Sequence, residues 1–343
     1  YRLAAEKGNP HAQFNLGLCY LNGIGVSPDQ AETIKWWGMA ANQGDAQAQC
    51  CLGVCYERGE GVERNKSEAV KWWTMAADQG NLKAQFSLGV CFDNGDGVQQ
   101  DKVIAAKWYQ MAARQGHAKA QFNLALCHAN GEGVPQDKTD AWQWFRMAAE
   151  QGLADAQFSL GACYDNGDCV QQDKAEAIKW YLLAAEQGFP KAQYSLGVCY
   201  DTGDGVKQDK EEAVKWYLLA AEQGLAVAQG NLANCYHNGE GVEVDKEEAV
   251  RLYRLAAEQG LADAQFDLGV CFTKGDGVTP DQKEAVKWWR LAAEQGDAEA
   301  QFSLGVCYEY GEGVEQNKVE AAQWYQLAAD QGNAQAEARL KQL

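Results

Sequence analysis

The residues with the most chemistry to offer in this 343-residue chain are twelve cysteines, four histidines and a recurring acidic glycine loop. They open three possibilities: metal ligation, nucleophilic catalysis, and phosphate or calcium binding by a loop. Spacing argues against each. Cys50 and Cys51 stand beside Cys55, but no histidine lies near enough in sequence to complete a zinc motif. His11, His117, His128 and His237 are far apart and fall at unrelated positions, and no Ser/His/Asp or paired-carboxylate arrangement stands out. Asp93-Asn94-Gly95-Asp96-Gly97 has the composition of a calcium loop without its alternation, since Gly95 sits where a liganding oxygen is required and no Glu falls at the twelfth position. The Gly-x-Gly-Val loop, first seen at Gly23-Ile24-Gly25-Val26, usually carries Asp or Glu between its glycines, a charge that repels phosphate. No catalytic residue, no metal ligand and no cofactor is therefore expected.

The elements behind these residues come from a period. Ala12-Gln13, Ala48-Gln49, Ala84-Gln85, Ala120-Gln121 and their counterparts through Ala300-Gln301 follow one another at 36-residue steps. Residues 11–334 divide into nine such repeats. Residues 1–10 read as the end of a preceding helix B, and residues 335–343 as half of a capping helix A in which Ala338 and Lys341 replace Phe and Gly. In the first repeat, helix A is expected over about Ala12–Asn22, with Ala12, Leu16, Cys19 and Tyr20 facing the core and Gly23 as the stop. Gly17 marks a close approach by another helix.

Helix B starts behind an N-cap at Asp29, Asn65, Asp101, Asp137, Asp173, Asp209, Asp245, Asp281 and Asn317, with Glu usually three residues on, as in a capping box. Gly44, Gly80 and their counterparts through Gly332 end it. Trp36, Trp72, Trp108, Trp144, Trp180, Trp216, Trp288 and Trp324 share one position on helix B and read as core aromatics. One helix pair cannot bury both its faces, so neighbours must stack. The expected fold is an all-α solenoid of antiparallel helix–turn–helix repeats forming a single domain over residues 1–334.

The formal net charge of −18 argues against nucleic acid and acidic lipid as partners, and no apolar run approaches the ~18–20 residues that span a bilayer. Tyr1 aligns with Trp37, so the chain is expected to begin inside a helix B, with any targeting segment missing.

The pattern Leu16-Gly17-x-x-Tyr20-x-x-Gly23-x-Gly25-Val26, then Asp29 and Trp36-x-x-x-Ala40-Ala41, resembles the Sel-one-like repeat family, a branch of the tetratricopeptide-like helical repeats. The resemblance covers essentially the whole chain. It implies a right-handed superhelix with helix A on the concave side, in proteins that act as adaptors for complex assembly, signalling or host contact. Cysteine-rich secreted members place a second Cys on helix B, and here helix B has none. Cysteines one repeat apart on helix A would be ~8–10 Å from each other, beyond disulfide reach. Nine of the twelve are thus expected as small buried side chains, and free thiols favour a reducing, cytoplasmic location. Cys169 replaces a loop glycine, where a positive φ would strain it.

Partner contacts are sought where the period breaks. One stripe of helix A, His11, Phe14, Asn15, Leu18 and Asn22 in the first repeat, faces the groove that the resemblance implies. Its floor is apolar, as in Phe86/Val90, Phe122/Leu126 and Phe302/Val306, and its polar positions vary. Lys83, Lys119 and Lys191 make the middle basic, with Asp155 interrupting. Asp263, Asp267 and Glu299 make the later part acidic. Lys119 with Asn123 resembles a tetratricopeptide carboxylate clamp, and Asn94, Asn130, Asn166 and Asn238 form a broken ladder suited to an extended peptide.

Repeat seven departs most, with Gly230, Ala233, Asn234 and Leu252 at framework positions. It is expected to be a hinge or a pocket edged by Asn231, Asn234 and Asn238. The leading expectation is a monomeric, non-enzymatic scaffold for a peptide or protein segment. The alternatives are a hydrolase or ligand-binding protein with a cleft between repeats, as proposed for relatives that bind penicillin-like ligands, and a secreted host-contact protein.

Overall fold

A computed structural model describes every residue of the chain except Cys169, so the strain expected at that loop position lies outside the described residues. Among the described residues there are twenty helices and no strand. They form two compact units, Tyr1–Gln172 and Asp173–Leu343. The first holds Arg2–Glu6, then the pairs Pro10–Asn22 with Gln30–Asn42, Ala46–Arg58 with Lys66–Asp78, Leu82–Asn94 with Lys102–Arg114 and Ala118–Asn130 with Lys138–Glu150, and last Ala154–Asn166. The second opens with Lys174–Glu186. It continues with Pro190–Thr202 and Lys210–Glu222, Ala226–Asn238 and Lys246–Glu258, Ala262–Lys274 and Gln282–Glu294, Ala298–Tyr310 and Lys318–Asp330, and closes with Ala334–Leu340. Within each unit every helix packs on the next, so the units are stacks of helix A–helix B pairs.

Each helix B is capped as its sequence requires. The Asp29 carboxylate accepts the Glu32 backbone N–H at 3.0 Å, and the Asp or Asn at the eight equivalent positions does the same. The capping box is only half formed. Glu32, Glu68, Glu176 and Glu212 turn forward instead, to the lysines three residues on, at 2.7–2.8 Å. A lysine one turn ahead is an ionic partner, and the N-cap amide is not.

Two joints hold successive repeats together. The first is a buried glutamine. Gln49, 4 % exposed, donates to the Ala41 carbonyl at the end of the preceding helix B and accepts from Gln79 of its own repeat at 2.8 Å. Gln85, Gln121 and Gln265 repeat the arrangement, which closes carbonyls that a helix end leaves open. The second joint is ionic. Lys66 reaches Asp96 in the following loop at 2.5 Å, as Lys102 does Glu132, Lys210 does Glu240 and Lys246 does Asp276. At these four joints the loop acid that argued against phosphate is held by a lysine. Beside them, Gly97 at φ +74° lies so close to the Lys66 carbonyl that a Cβ would stand 2.5 Å from it.

The core differs from expectation in one respect. Apart from Trp36, the tryptophans of the eightfold position are only half-buried. The deeply buried aromatic is the next residue: Trp37, Trp73, Tyr109, Phe145, Tyr181, Tyr217, Tyr253, Trp289 and Tyr325. One residue turns the side chain by about 100° on a helix, from the edge of the helix-B layer onto helix A. There it lies against the expected glycine: a Cβ on Gly17 would stand 2.4 Å from Trp37, and one on Gly53 would be closer still to Trp73.

Candidate functional site

The helix-A face is built by the fixed framework and varied at one register. Residues 11, 47, 83, 119, 155, 191, 227, 263 and 299 occupy it, the second residue of each helix A, and they read His, Gln, Lys, Lys, Asp, Lys, Val, Asp and Glu. A helix N-terminus carries partial positive charge, so Asp155, Asp263 and Glu299 suit the site while Lys83, Lys119 and Lys191 oppose it. All three lysines are exposed, and none has an ion pair among the described residues. Lys83 and Lys119 share a neighbour in His117, which stacks on Phe86 with ring centroids 4.5 Å apart. Burial and the two ammonium groups hold the His117 pKa below its ordinary value.

The asparagines divide into committed and open. Asn123 bonds to the buried Tyr109 hydroxyl, and Asn231 bonds to that of Tyr217. The clamp-like pair of Lys119 and Asn123 is thereby half engaged in the framework. Asn234 accepts from the Tyr253 hydroxyl, Asn94 bonds to Asp96 in its loop, and Asn238 contacts His237 at 3.1 Å. Asn130 and Asn166 are exposed at the ends of their helices.

Histidines and thiols take structural places. His117 caps its helix by accepting from the Ala120 N–H at 3.2 Å, His11 contacts Asp45 at 3.0 Å, and His237 lies 3.4 Å from Asp276. Burial pushes Cys51 up to about 12 and Cys55 up to about 11, so both stay as thiols at neutral pH. Among the described residues no three His, Cys, Asp or Glu side chains come together to hold a metal. No helix is long and apolar enough to cross a membrane.

Two repeats lack the aromatic that the others place on this face, and each has a cavity there. Phe14, Phe86, Phe122, Tyr194, Phe266 and Phe302 pack against the buried helix-B aromatic of their own repeat, with centroids 5.7–6.5 Å apart. Repeat two has Cys50 instead. Its crevice of about 240 Å³ is mainly apolar, lined by Leu21, Ile34, Trp37, Cys50, Cys51, Val54 and Cys55, with Gln30, Gln47, Glu60 and Lys83 around them. One repeat on, the same crevice measures about 160 Å³, holds Phe86, and is bridged by Lys66 and Asp96. In repeat five it measures about 260 Å³ and again carries its Phe, Phe158, and its bridge, Lys138 to Asp168. Repeat one has Gln30 where the bridging lysine stands, and Glu60 turns to Arg58 at 3.5 Å. The sequence marked Cys50 as a break in the period. It did not mark Gln30, whose meaning depends on a crevice formed thirty residues away.

Repeat seven has Gly230 at the aromatic position and a cavity of about 100 Å³ lined by Tyr194, Val227, Gly230, Asn231, Asn234, Leu261, Asp263, Ala264 and Asp267. Asn238 lies outside it. Burial first, then Asp263, raises the Asp267 carboxyl to about 6, with His237 opposing. On the helix-B side, Leu252 in place of Trp adjoins a second cavity of about 290 Å³.

The Sel1 repeat pattern matches this chain nine times, over residues 10–45, 46–81, 82–117, 118–153, 154–189, 190–225, 226–261, 262–297 and 298–333. Among solved structures, the chain is similar to c5321, a protective antigen present in uropathogenic Escherichia coli strains that displays an SLR fold. The two are 39 % identical with a TM-score of 0.93, over all of this chain and 73 % of that one. It is also similar to a Sel1 repeat protein from Oxalobacter formigenes, 34 % identical with a TM-score of 0.69, over 90 % of this chain and 89 % of the other. Comparison with curated proteins gives no match.

Proposed function

The chain belongs to the Sel1 repeat family, whose members are generally protein-interaction scaffolds and generally non-catalytic, and from that premise we propose that it is a non-enzymatic adaptor holding an extended peptide or protein segment along its helix-A face. The observation that carries this reading is the row at the second position of helix A. Lys83 and Lys119 lie against the helix dipole, are exposed, and lack the acidic partners that the framework lysines have. At the first turn of a helix the dipole by itself would favour acids at these positions. Two adjacent unpaired ammonium groups over a half-buried apolar floor suit an acidic segment with apolar side chains. Such a segment would be steered by charge and held by burial.

The test is a scan of arrayed acidic peptides with the full chain and with the double variant Lys83→Glu, Lys119→Glu. Acidic ligands should bind the variant about 10-fold or more weakly and lose most of their salt dependence. Equal binding by both proteins would sink the reading.

A further inference from the structure

We propose that the repeat-two crevice is an anchor pocket that takes one large apolar side chain of an acidic peptide segment, with Lys83 meeting a carboxylate beside that side chain. This rests on the helix-A face reading and adds to it a place and a side-chain class. Three observations converge. The framework aromatic is missing: Cys50 stands where Phe86 narrows the next crevice to about 160 Å³, and the cavity here measures about 240 Å³, while the Phe158 crevice of about 260 Å³ is crossed by the Lys138–Asp168 bridge. Its walls are chiefly Leu21, Ile34, Trp37, Val54 and three thiols that burial keeps neutral, so the cavity favours carbon over charge. An engineered apolar cavity of ~150 Å³ accepts benzene, so this volume suffices for a phenyl ring or a leucine side chain.

The third observation concerns the rim. Elsewhere in the first compact unit, the bridges Lys66–Asp96, Lys102–Glu132 and Lys138–Asp168 cross this crevice with charges already paired. Here Gln30 removes the bridge, and the cation among the lining residues is Lys83, which has no ion pair among the described residues. Its charge acts directly on Cys50 and Cys51. An apolar seat with one free ammonium at its edge selects an apolar side chain next to a carboxylate.

The test uses the full chain and a fluorescein-labelled decapeptide of Gly and Ser carrying a single Phe-Asp pair, acetylated and amidated so that no terminal carboxylate competes. Cys50→Phe puts back the aromatic that most other repeats carry, and Cys50→Ala keeps the cavity open as the folding control. Binding is expected by the native chain and by Cys50→Ala, with a loss of about 10-fold or more in Cys50→Phe and on changing the peptide's Phe to Ala. Lys83→Glu should weaken binding about 5-fold or more. Changing the peptide's Asp to Asn should then weaken binding by the chains that keep Lys83 and relieve the repulsion in Lys83→Glu. Unchanged binding by Cys50→Phe, or no binding by the native chain at millimolar peptide, would overturn the pocket. If Cys50→Phe binds normally while the Lys83→Glu, Lys119→Glu variant does not, the pocket fails and the helix-A face reading stands. If neither variant loses binding, both fail.

Discussion

Repeats two and seven give up the same aromatic and end with opposite sites. In repeat two the vacancy at Cys50 is bordered by Lys83, and in repeat seven the vacancy at Gly230 is bordered by Asp263, the residue at the same register. The vacancy sets the place, and the first turn of the next helix A sets the chemistry. The repeats also differ in what they keep. Repeat two retains Gly53 beneath a Trp73 ring that is 3 % exposed. Repeat seven has Ala233 there, a Tyr253 hydroxyl bonded to Asn234, and Leu252 in place of the outer Trp. Repeat two has a cavity on its helix-A face, and repeat seven has one on each side.

The largest effect is expected where repeat two is forced. In Gly53→Val the new side chain must displace the buried Trp73 ring, whose indole N–H donates to the Cys50 carbonyl at 3.2 Å. Thermal unfolding should show a loss of about 3 kcal/mol, the upper part of the usual range for overpacking. Repeat seven already accommodates a Cβ, so Ala233→Gly should cost only about 1 kcal/mol, mostly helix propensity. Comparable losses in the two variants would erase the contrast.

Asp267 gives the contrast a pH dependence. Its pKa is raised from 3.8 to about 6, so the folded chain binds more protons than the unfolded chain between those values. Stability should therefore rise as pH falls through 6 towards 4, and the penalty is fully present above 6. Asp267→Asn should be more stable than the native chain at pH 7.5 and equal to it near pH 4. The ceiling is about 3 kcal/mol, reduced by the water that reaches a part-buried carboxyl. A constant difference across that range would remove the burial argument.

Leu252→Trp restores the residue found at this position in the other eight repeats and fills the helix-B side of repeat seven. A gain of about 1–2 kcal/mol is expected from the added apolar burial, read as slower amide exchange over Ala226–Glu258. If exchange there already matches that of repeat two, neither substitution has softened the repeat.

The fold was legible because the period, the N-cap of helix B and the helix-ending glycines each state a local geometry. Which of two adjacent aromatics is buried was not, since the period is the same for Trp36 and Trp37. A finer signal was present. Tyr109, Tyr217 and Tyr325 bond to Asp93, Asp201 and Glu309 sixteen residues earlier, while Phe145, with no hydroxyl to satisfy, has Ala129 there. Burying a phenol requires an acceptor, so that covariation within one chain identifies the inner position. The burial of the repeated glutamines carried no such sign, since they are polar by type and yet enclosed between helix ends. Of the candidate site, Lys83, Lys119 and the two vacated positions could be read directly. Asn123 and Asn231 read as open contacts because the hydroxyls that engage them come from the preceding repeat.

The smallest effect separates charge from capping at the start of helix A. In repeat two the Asp45 side chain accepts the Ala48 N–H at 2.9 Å, whereas in repeat seven Leu225 offers no side-chain cap and the Ala228 N–H turns to the Leu225 carbonyl at 3.0 Å. Asp45→Ala should cost about 1 kcal/mol, the usual value of an N-cap. Asp45→Asn keeps the accepting oxygen and loses only the charge facing an exposed His11, so it should stay within about 0.5 kcal/mol of the native chain. Equal losses for Ala and Asn would mean that the His11 contact, and not the cap, holds this helix start. The difference in firmness between repeats two and seven would then lie entirely in their aromatics.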